Sequence, residues 1–199
     1  MTKRVLKIDR LFSSPVTLLV IALLALPAKA TISKERLMPD QSKDEEERFI
    51  AFLRDKQAQA SDPDEFVRVI ERLGGMRSVA AVDDLINLIT FKRPLPADAG
   101  PPPTLIDNEH RVSTMGVYPA TGALFHIGRP ALPALLKLIE TSDDDALTSQ
   151  NAVYTVMAIF REDPPAGVQY LQSAAEQAMT PEASRNLLRA IARARTLFR

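Results

Sequence analysis

One apolar pattern occurs twice in the sequence, 50 positions apart, and it limits the possible folds more than any other feature. In each copy, apolar residues recur at i, i+3, i+4 and i+7, which is the spacing of one face of an α-helix. The first copy is Val82, Leu85, Ile86 and Ile89, and the second is Leu132, Leu135, Leu136 and Ile139. Because a single helix pair cannot bury such a face alone, we expect helix pairs that stack on copies of themselves.

The second copy belongs to residues 117–140, which we interpret as two short helices joined by a tight corner. Gly128 provides the helix stop there, and Pro130 favours a new first turn because its φ is already restrained. Both helices have an apolar face, so each needs a neighbour to cover it.

The helix before the first copy has its own start and stop signals. Asp62 is an expected N-cap, and Glu65 closes a capping box with it. Gly74 and Gly75 are expected to end this helix, and Ser78 to cap the next one. The expected buried face is Phe66, Val69, Ile70 and Leu73.

Three more helices are predicted from capping signals that precede apolar residues. The first covers about 43–60 and starts at a capping box from Ser42 to Glu45. The second covers about 144–161 and follows an acidic turn. The third starts at Thr180-Pro181-Glu182 and continues from there. The expected buried residues of the first helix are Phe49, Ile50, Phe52 and Leu53. Those of the second are Val153, Val156, Met157 and Phe160, and those of the third are Leu187, Leu188, Ile191, Ala194 and Phe198. A further set, Val168, Leu171 and Ala175, matches the second copy at a shift of either 36 or 33.

The composition favours helix-on-helix packing. Aromatic residues make up only 6 % of the 199 residues, and there is no Trp; aliphatic, Ala-rich cores suit helices better than sheets. We therefore predict an all-α fold over residues 43–199, a short α-solenoid of antiparallel helix pairs. The absence of Cys excludes disulfides, thiolate metal sites and a thiol nucleophile.

Residues 1–30 have the three parts of a secretory signal peptide. Four basic residues precede an apolar run of 11 residues, 16–26, and Ala28 and Ala30 then form a small-x-small cleavage pattern. At about 1.5 Å per residue, this run is short for the roughly 30 Å hydrocarbon layer of a membrane. We therefore predict cleavage after Ala30 and export to the periplasm or the medium, with an uncleaved N-terminal anchor as the alternative.

Two segments are expected to lie outside the helices. Residues 31–42 are polar and lack periodicity, so we expect a flexible lead-in. Residues 91–116 separate the two copies as an insertion that contains Pro101, Pro102 and Pro103, which exclude helix and central strand and favour polyproline II. The insertion is either a spacer or a peptide-like ligand for another protein.

An Ala-rich first helix, an Ile-Gly-x-Pro-Ala corner and a Leu-rich second helix follow one another in residues 123–136, ALFHIGRPALPALL. This segment resembles the HEAT-repeat family, especially its short bacterial form; the resemblance is looser at 62–90 and weak at 145–178. It implies an α-solenoid that usually serves as a binding scaffold, with no universal catalytic residue. A few members of the family assist chromophore attachment or hydroxylate substrates on iron, but two His are too few for a multi-His iron site unless carboxylates contribute.

Residue types that carry chemistry are sparse, and no motif for nucleophilic or nucleotide chemistry is present. We interpret His126, between Phe125 and Ile127, as a structural residue at the seam between repeats. The stretch Asp107-Asn108-Glu109-His110 contains metal-ligand types, although neighbours in sequence often point apart. No catalytic, cofactor-binding or metal residue is assigned, and a carboxylate pair is the one catalytic device that needs no local motif.

Charge is polarised along the chain. Residues 31–181 contain 15 basic and 23 acidic residues, whereas 182–199 contain five Arg and one Glu. Arg185, Arg189 and Arg193 are spaced by four and share one helix face. This face is either the solvated side of a capping helix or a contact for anionic lipid or an acidic partner. A net acidic mature chain has no general attraction for nucleic acid.

These features lead to three functional hypotheses. The first is an exported, non-enzymatic scaffold that binds a protein partner through its helical-repeat surface, with the arginine face and Pro101 to Pro103 as candidate contacts. The second is an enzyme with a carboxylate-based site, with or without a metal, near the insertion 91–116. The third is a peripheral membrane-surface protein that uses the C-terminal arginine helix. No cofactor is expected.

Overall fold

The computed structural model describes residues 39–94, 110–143 and 146–197, and every regular element in these ranges is helical. The α-helices are α1 (Pro39–Arg54), α2 (Lys56–Ser61), α3 (Pro63–Met76), α4 (Val82–Asn87), α5 (His110–Val117), α6 (Pro119–Ile127), α7 (Leu132–Thr141), α8 (Leu147–Ile159), α9 (Pro164–Gln177) and α10 (Pro181–Leu197). The all-α prediction is confirmed for these residues.

The two copies of the apolar repeat have the same local structure. Each begins with a short 3₁₀ turn, Val79–Ala81 or Arg129–Ala131, that leads directly into an α-helix. The buried residues of the first copy, Ala81, Val82, Leu85 and Ile89, correspond at the predicted shift to Ala131, Leu132, Leu135 and Ile139, which are also buried. The internal repeat inferred from spacing is therefore present in the structure.

One residue of the later apolar set, Leu171, fits one of the two shifts better. Leu171 in α9 is fully buried and, at a shift of 36, corresponds to the fully buried Leu135. At a shift of 33 it would correspond to Leu138, which is only partly buried. Burial at Leu171 fits the shift of 36, whereas Val168 and Ala175 are only partly buried, unlike Leu132 and Ile139 at that shift.

The helices contact one another in two rows. In the first row, α1 contacts α3, α3 contacts α6 and α6 contacts α8; in the second, α4 contacts α7 and α7 contacts α10. Contacts of α4 with α6 and of α7 with α8 join the rows, and α9 packs against α8 and α10. Fully buried side chains from both rows, among them Phe66, Leu85, Leu124, Leu135 and Met157, form a common core. Each such side chain contributes about 1.5–3 kcal/mol by leaving water.

Several predicted helix starts are confirmed. The Asp62 side chain accepts a 2.9 Å hydrogen bond from the backbone N–H of Glu65, and Ser78 Oγ accepts one of 3.3 Å from Ala81. Gly128 forms the corner between α6 and α7 with a φ of 80°, a conformation in which a side chain would be strained.

The predicted helix over 43–60 is wrong at its start and in its continuity. Helix α1 already begins at Pro39, so Ser42 lies within it and is not a cap. The helix stops at Arg54 because Asp55 adopts an extended conformation, and its side chain accepts hydrogen bonds from the N–H groups of Gln57 and Ala58. A new helix, α2, starts from this cap.

Gly74 and Gly75 do not end α3, contrary to the prediction. The helix continues to Met76, and the left-handed residue that terminates it is Arg77, with a φ of 55°. The role of Gly74 is to allow close packing, since a Cβ on it would lie 2.6 Å from the Cα of Ala123 in α6.

Two later helices also depart from expectation. Helix α8 begins at Leu147, later than predicted, and its N-cap residue, Ala146, makes no side-chain capping bond. It is buried on nearly all sides, because α6, α7, α9 and α10 surround it. Leu188 in α10, expected in the core with Leu187, is 57 % exposed.

The predicted non-helical segments are partly helical. Residues 39–42 of the lead-in belong to α1, and the end of the insertion from His110 forms α5, which is stabilised by packing against α6. The signal peptide with Ala28 and Ala30, the rest of the lead-in, and residues 95–109 with Pro101, Pro102 and Pro103 lie outside the described residues, so those predictions stay predictions. Within the described ranges, every helix is too short or too polar to span a bilayer.

Candidate functional site

A cleft of about 710 Å³ lies where α3, α5, α6 and α8 meet. This volume is within the range of roughly 300–1,000 Å³ that is typical of ligand-binding sites. Helix α3 contributes Glu71 and Gly75 to the lining, and α5 contributes Met115 and Gly116. The remaining walls come from α6, α8 and the turn after α8.

Small residues create the open space of the cleft. Gly75, Gly116, Gly122, Ala123 and Ala158 all belong to its lining. Within the part of the chain that the structure describes, a Cβ added at Gly75 or at Gly116 would meet no atom outside its own stretch of helix within 4 Å. The helices therefore leave a gap here, although they pack closely at Gly74, one residue away.

Aromatic side chains form one wall of the cleft, next to a cation. The guanidinium of Arg161 lies 5.1 Å from the centre of the Phe125 ring, and the His126 ring lies 5.2 Å from the same centre. Tyr154 of α8 also lines the cleft and is almost fully buried. A cation over an aromatic face is attracted to its π-electrons, which fixes Arg161 at the wall.

A second cation–aromatic contact joins the same two helix ends. Arg129, just after α6, lies over the ring of Phe160, just after α8, at 5.8 Å. The Phe160 ring is in turn 5.6 Å from that of Tyr170 in α9, and burial raises the pKa of the Tyr170 phenol. Together with the Arg161–Phe125 contact, this arrangement holds α6 and α8 in register beside the cleft.

Arg93 neutralises the acidic side of the cleft and joins the two ends of the insertion. Its side chain forms an ion pair with Glu71 and donates a 2.9 Å hydrogen bond from Nε to the carbonyl of Gly116. Its backbone N–H donates to the carbonyl of Val117 at 2.8 Å. Because these carbonyls end α5, the cation also lies at the negative end of that helix.

His126 does not occupy the buried seam expected from the sequence. Its side chain is exposed and lines the cleft. The reason is the helical period: the buried face of α6 consists of Ala120, Ala123, Leu124 and Ile127, and His126 falls on the outer arc with Gly122. The interpretation as a structural seam residue is therefore wrong.

The residues singled out for metal binding or catalysis do not form a site among the described residues. Residues 107–109 and the His110 side chain lie outside the description, and the described part of the chain holds no group of three or more His, Asp or Glu side chains that suits a metal ion. Glu71 is the one carboxylate in the described lining of the cleft, and Arg93 holds it. We assign no catalytic role to it.

The arginine face of the last helix is only partly as predicted. Arg185 and Arg189 are exposed, but Arg193 is half-buried, because its position on α10 approaches the packed side of the helix. The three arginines therefore do not share one fully exposed face.

Sequence reasoning missed the cleft because its lining comes from four helices and extends from residue 71 to residue 161 of the chain. One signal was available: Gly75, Gly116 and Gly122 lie inside helices, where glycine is unfavourable by about 0.5–1 kcal/mol relative to Ala. None of the three has a positive φ that would require glycine.

Comparison with protein-family models, with curated proteins and with solved structures gives no match for this chain.

Proposed function

We propose that this protein is an exported, non-enzymatic interaction module, a short HEAT-like α-solenoid that binds an extended segment of a protein partner. The observation that carries the proposal is the cleft between α3, α5, α6 and α8, which combines an open, glycine-lined floor with an aromatic wall.

The contacts between helices support the solenoid part of the proposal. Successive helices α3, α6 and α8 are neighbours, as are α4, α7 and α10. The two repeat copies have the same 3₁₀ turn, the same helix start and matching buried positions. Such side-by-side contact of equivalent elements is the arrangement by which repeats bury their apolar faces.

The chemistry of the lining supports a peptide segment as the occupant. Met115, Phe125 and Tyr154 provide apolar surface, whereas Arg161 and His126 provide polar groups beside it. Interfaces combine an apolar centre with a polar rim in this way. The Nε of Arg161 already donates a 3.1 Å hydrogen bond to Glu162, and Phe125 lies beside the guanidinium. The other N–H groups of the guanidinium are positioned to donate to a carbonyl or carboxylate of the bound segment.

The predicted signal peptide decides where the partner is found. If residues 1–30 direct export, the partner is another protein of the cell envelope or the medium. A partner confined to the cytoplasm would contradict this part of the proposal without affecting the cleft.

Blocking the cleft tests the proposal. A Phe at position 75 would enter open space, so Gly75→Phe is expected to fill the cleft without disturbing the core. Peptides selected from a random library against the wild-type protein should bind Gly75→Phe at least about tenfold more weakly, a loss of about 1.4 kcal/mol, when affinity is measured by fluorescence anisotropy.

The matched control is Ala80→Phe, which adds the same side chain at an exposed position in the turn before α4, away from the cleft. This variant should bind the selected peptides like the wild type. Equal affinity of Gly75→Phe and the wild type would show that the cleft is not the binding site.

A further inference from the structure

Helix α10 is fixed to the rest of the protein by one face. Leu187, Ala190, Ile191 and Ala194 are buried on this side, and the helix packs against α7, α8 and α9. Asn186 adds a 3.0 Å hydrogen bond from its Nδ2 to the carbonyl of Glu140 in α7. The opposite face is therefore held in a defined orientation.

The outward face of α10 consists of Arg185, Leu188, Arg189, Ala192 and Arg195, all of which are exposed. At about 1.5 Å per residue, its three arginines extend over about 15 Å. Within the described part of the chain, no ion pair uses Arg185, Arg189 or Arg195. Their charges are available to an external partner.

Exposed apolar side chains are concentrated in the same part of the chain. Among the described residues, the large apolar side chains that are exposed are Val79, Met179, Leu188 and Leu197. Of these, Leu188 and Leu197 lie on α10, and Met179 lies in the turn before it. Leu188 and Arg195 also line one groove along the helix.

We propose that the outward face of α10 binds the surface of an anionic membrane. Arginines near an anionic bilayer are attracted to its negative potential, and Leu188 between them can enter the headgroup region. This contact is independent of the cleft, so either proposal can fail without the other.

The composition of the face favours lipid over an acidic protein. Stable protein interfaces bury about 800 Å² on each partner and rely on aromatic or other large anchors near their centre. The outward face of α10 has Leu188 and Ala192 as its apolar residues and no aromatic residue. A layer of anionic headgroups requires no matching shape.

The charge of the rest of the chain orients this contact. Residues 31–181 contain 15 basic and 23 acidic residues, so that part of the protein is repelled by an anionic surface. The cationic face of α10 is attracted, and the asymmetry turns α10 towards the membrane.

The test is sedimentation of the protein, in the form the cell produces, with vesicles of phosphatidylcholine alone or mixed with phosphatidylglycerol. The measured quantity is the fraction of protein bound to anionic vesicles divided by the fraction bound to neutral vesicles. A ratio is used because the apolar run 16–26, if retained, would bind any bilayer. The wild type should prefer anionic vesicles, and the preference should fall with added salt. Arg185→Gln and Arg189→Gln should each lower it about fivefold.

The matched control is Arg48→Gln, which removes one exposed positive charge from α1 and should leave the ratio unchanged. Circular dichroism checks that each variant is folded. A ratio near one for the wild type, or an equal loss in Arg48→Gln, overturns the proposal. So does binding to polyglutamate without binding to anionic vesicles, which would identify an acidic protein partner instead.

Discussion

The side-chain amide of Asn151 in α8 donates a 2.8 Å hydrogen bond to the backbone carbonyl of Ile89, just beyond the end of α4. Asn186 in α10 makes the same kind of bond to Glu140, in the last turn of α7. Carbonyls at the end of a helix lack partners within it. In both cases, an asparagine from a later helix supplies the missing donor at the end of a repeat copy.

Replacing Asn151 should destabilise the protein. Its side chain is buried, so Asn151→Ala leaves the Ile89 carbonyl without its donor. We expect the free energy of unfolding to fall by about 1–3 kcal/mol, the usual penalty for a buried unsatisfied polar group. Urea denaturation measures this change. The control Asn87→Ala, at an exposed position, should change it by less than about 0.5 kcal/mol.

Two adjacent glycines should respond in opposite ways to alanine. A Cβ at Gly74 would lie 2.6 Å from the Cα of Ala123, whereas one at Gly75 would meet nothing within 4 Å. Gly74→Ala should therefore cost about 1–3 kcal/mol through overpacking, and Gly75→Ala should stabilise by about 0.5–1 kcal/mol through helix propensity.

A second substitution, at Ala123, tests whether Gly74→Ala destabilises the protein through overpacking or through a loss of backbone flexibility at position 74. A Cβ at Gly74 would also lie 2.9 Å from the Cβ of Ala123. Ala123→Gly removes that methyl group but leaves the backbone of α6 in place, so combining it with Gly74→Ala should restore stability only in part. Thermal unfolding of both single variants and the double variant gives the comparison, and full recovery would mean that the backbones can separate.

Arg93→Lys should loosen α5 even though it keeps the charge. Lysine can retain the ion pair with Glu71 but lacks the guanidinium group that also donates to the carbonyl of Gly116. We expect faster amide exchange in α5, equivalent to roughly 1–2 kcal/mol of local stability. Hydrogen exchange followed by mass spectrometry measures it. Lys92→Gln, at the neighbouring position, should leave the exchange in α5 unchanged.

The pKa of Tyr170 predicts a loss of stability at high pH. Burial raises this pKa above the ordinary value of 10.0, so the folded state keeps the phenol proton at pH values where the unfolded state has released it. The contribution of the protonated Tyr170 to the free energy of unfolding is fully present below pH 10, and it is lost as the pH rises towards the pKa of the folded state. The urea concentration at the midpoint of unfolding is measured at about pH 9 and at about pH 11. The difference between the two values should be smaller for Tyr170→Phe than for the wild type.

Local signals in the sequence predict the parts of the fold that depend on neighbours in the chain. Asp62 and Ser78 cap helices as expected because a cap bonds to a residue only three positions away. The faces of α3, α4 and α7 are recognisable because one side of each packs on the core and the other faces solvent. Helix α8 is less well predicted, because it is buried on nearly all sides and so lacks the polar face that would distinguish its buried side in the sequence.

Predictions fail where a distant segment decides what a residue does. Gly74 matches the pattern of a helix stop, but Ala123 makes it a point of close packing between helices. His126 is expected at a buried seam, and the orientation of α6 places it at the cleft instead. Leu188 matches the apolar pattern of α10, yet its side chain is 57 % exposed.

The sequence by itself determined that this chain forms amphipathic helices with a repeat at a spacing of 50, because helix periodicity and capping depend on residues within a few positions of each other. Only the tertiary structure decided which helices are neighbours, where the cleft opens and which face of α10 is left uncovered. These properties arise from contacts such as the one between Asn151 and Ile89, 62 positions apart, and local patterns contain no information about the partner at that distance.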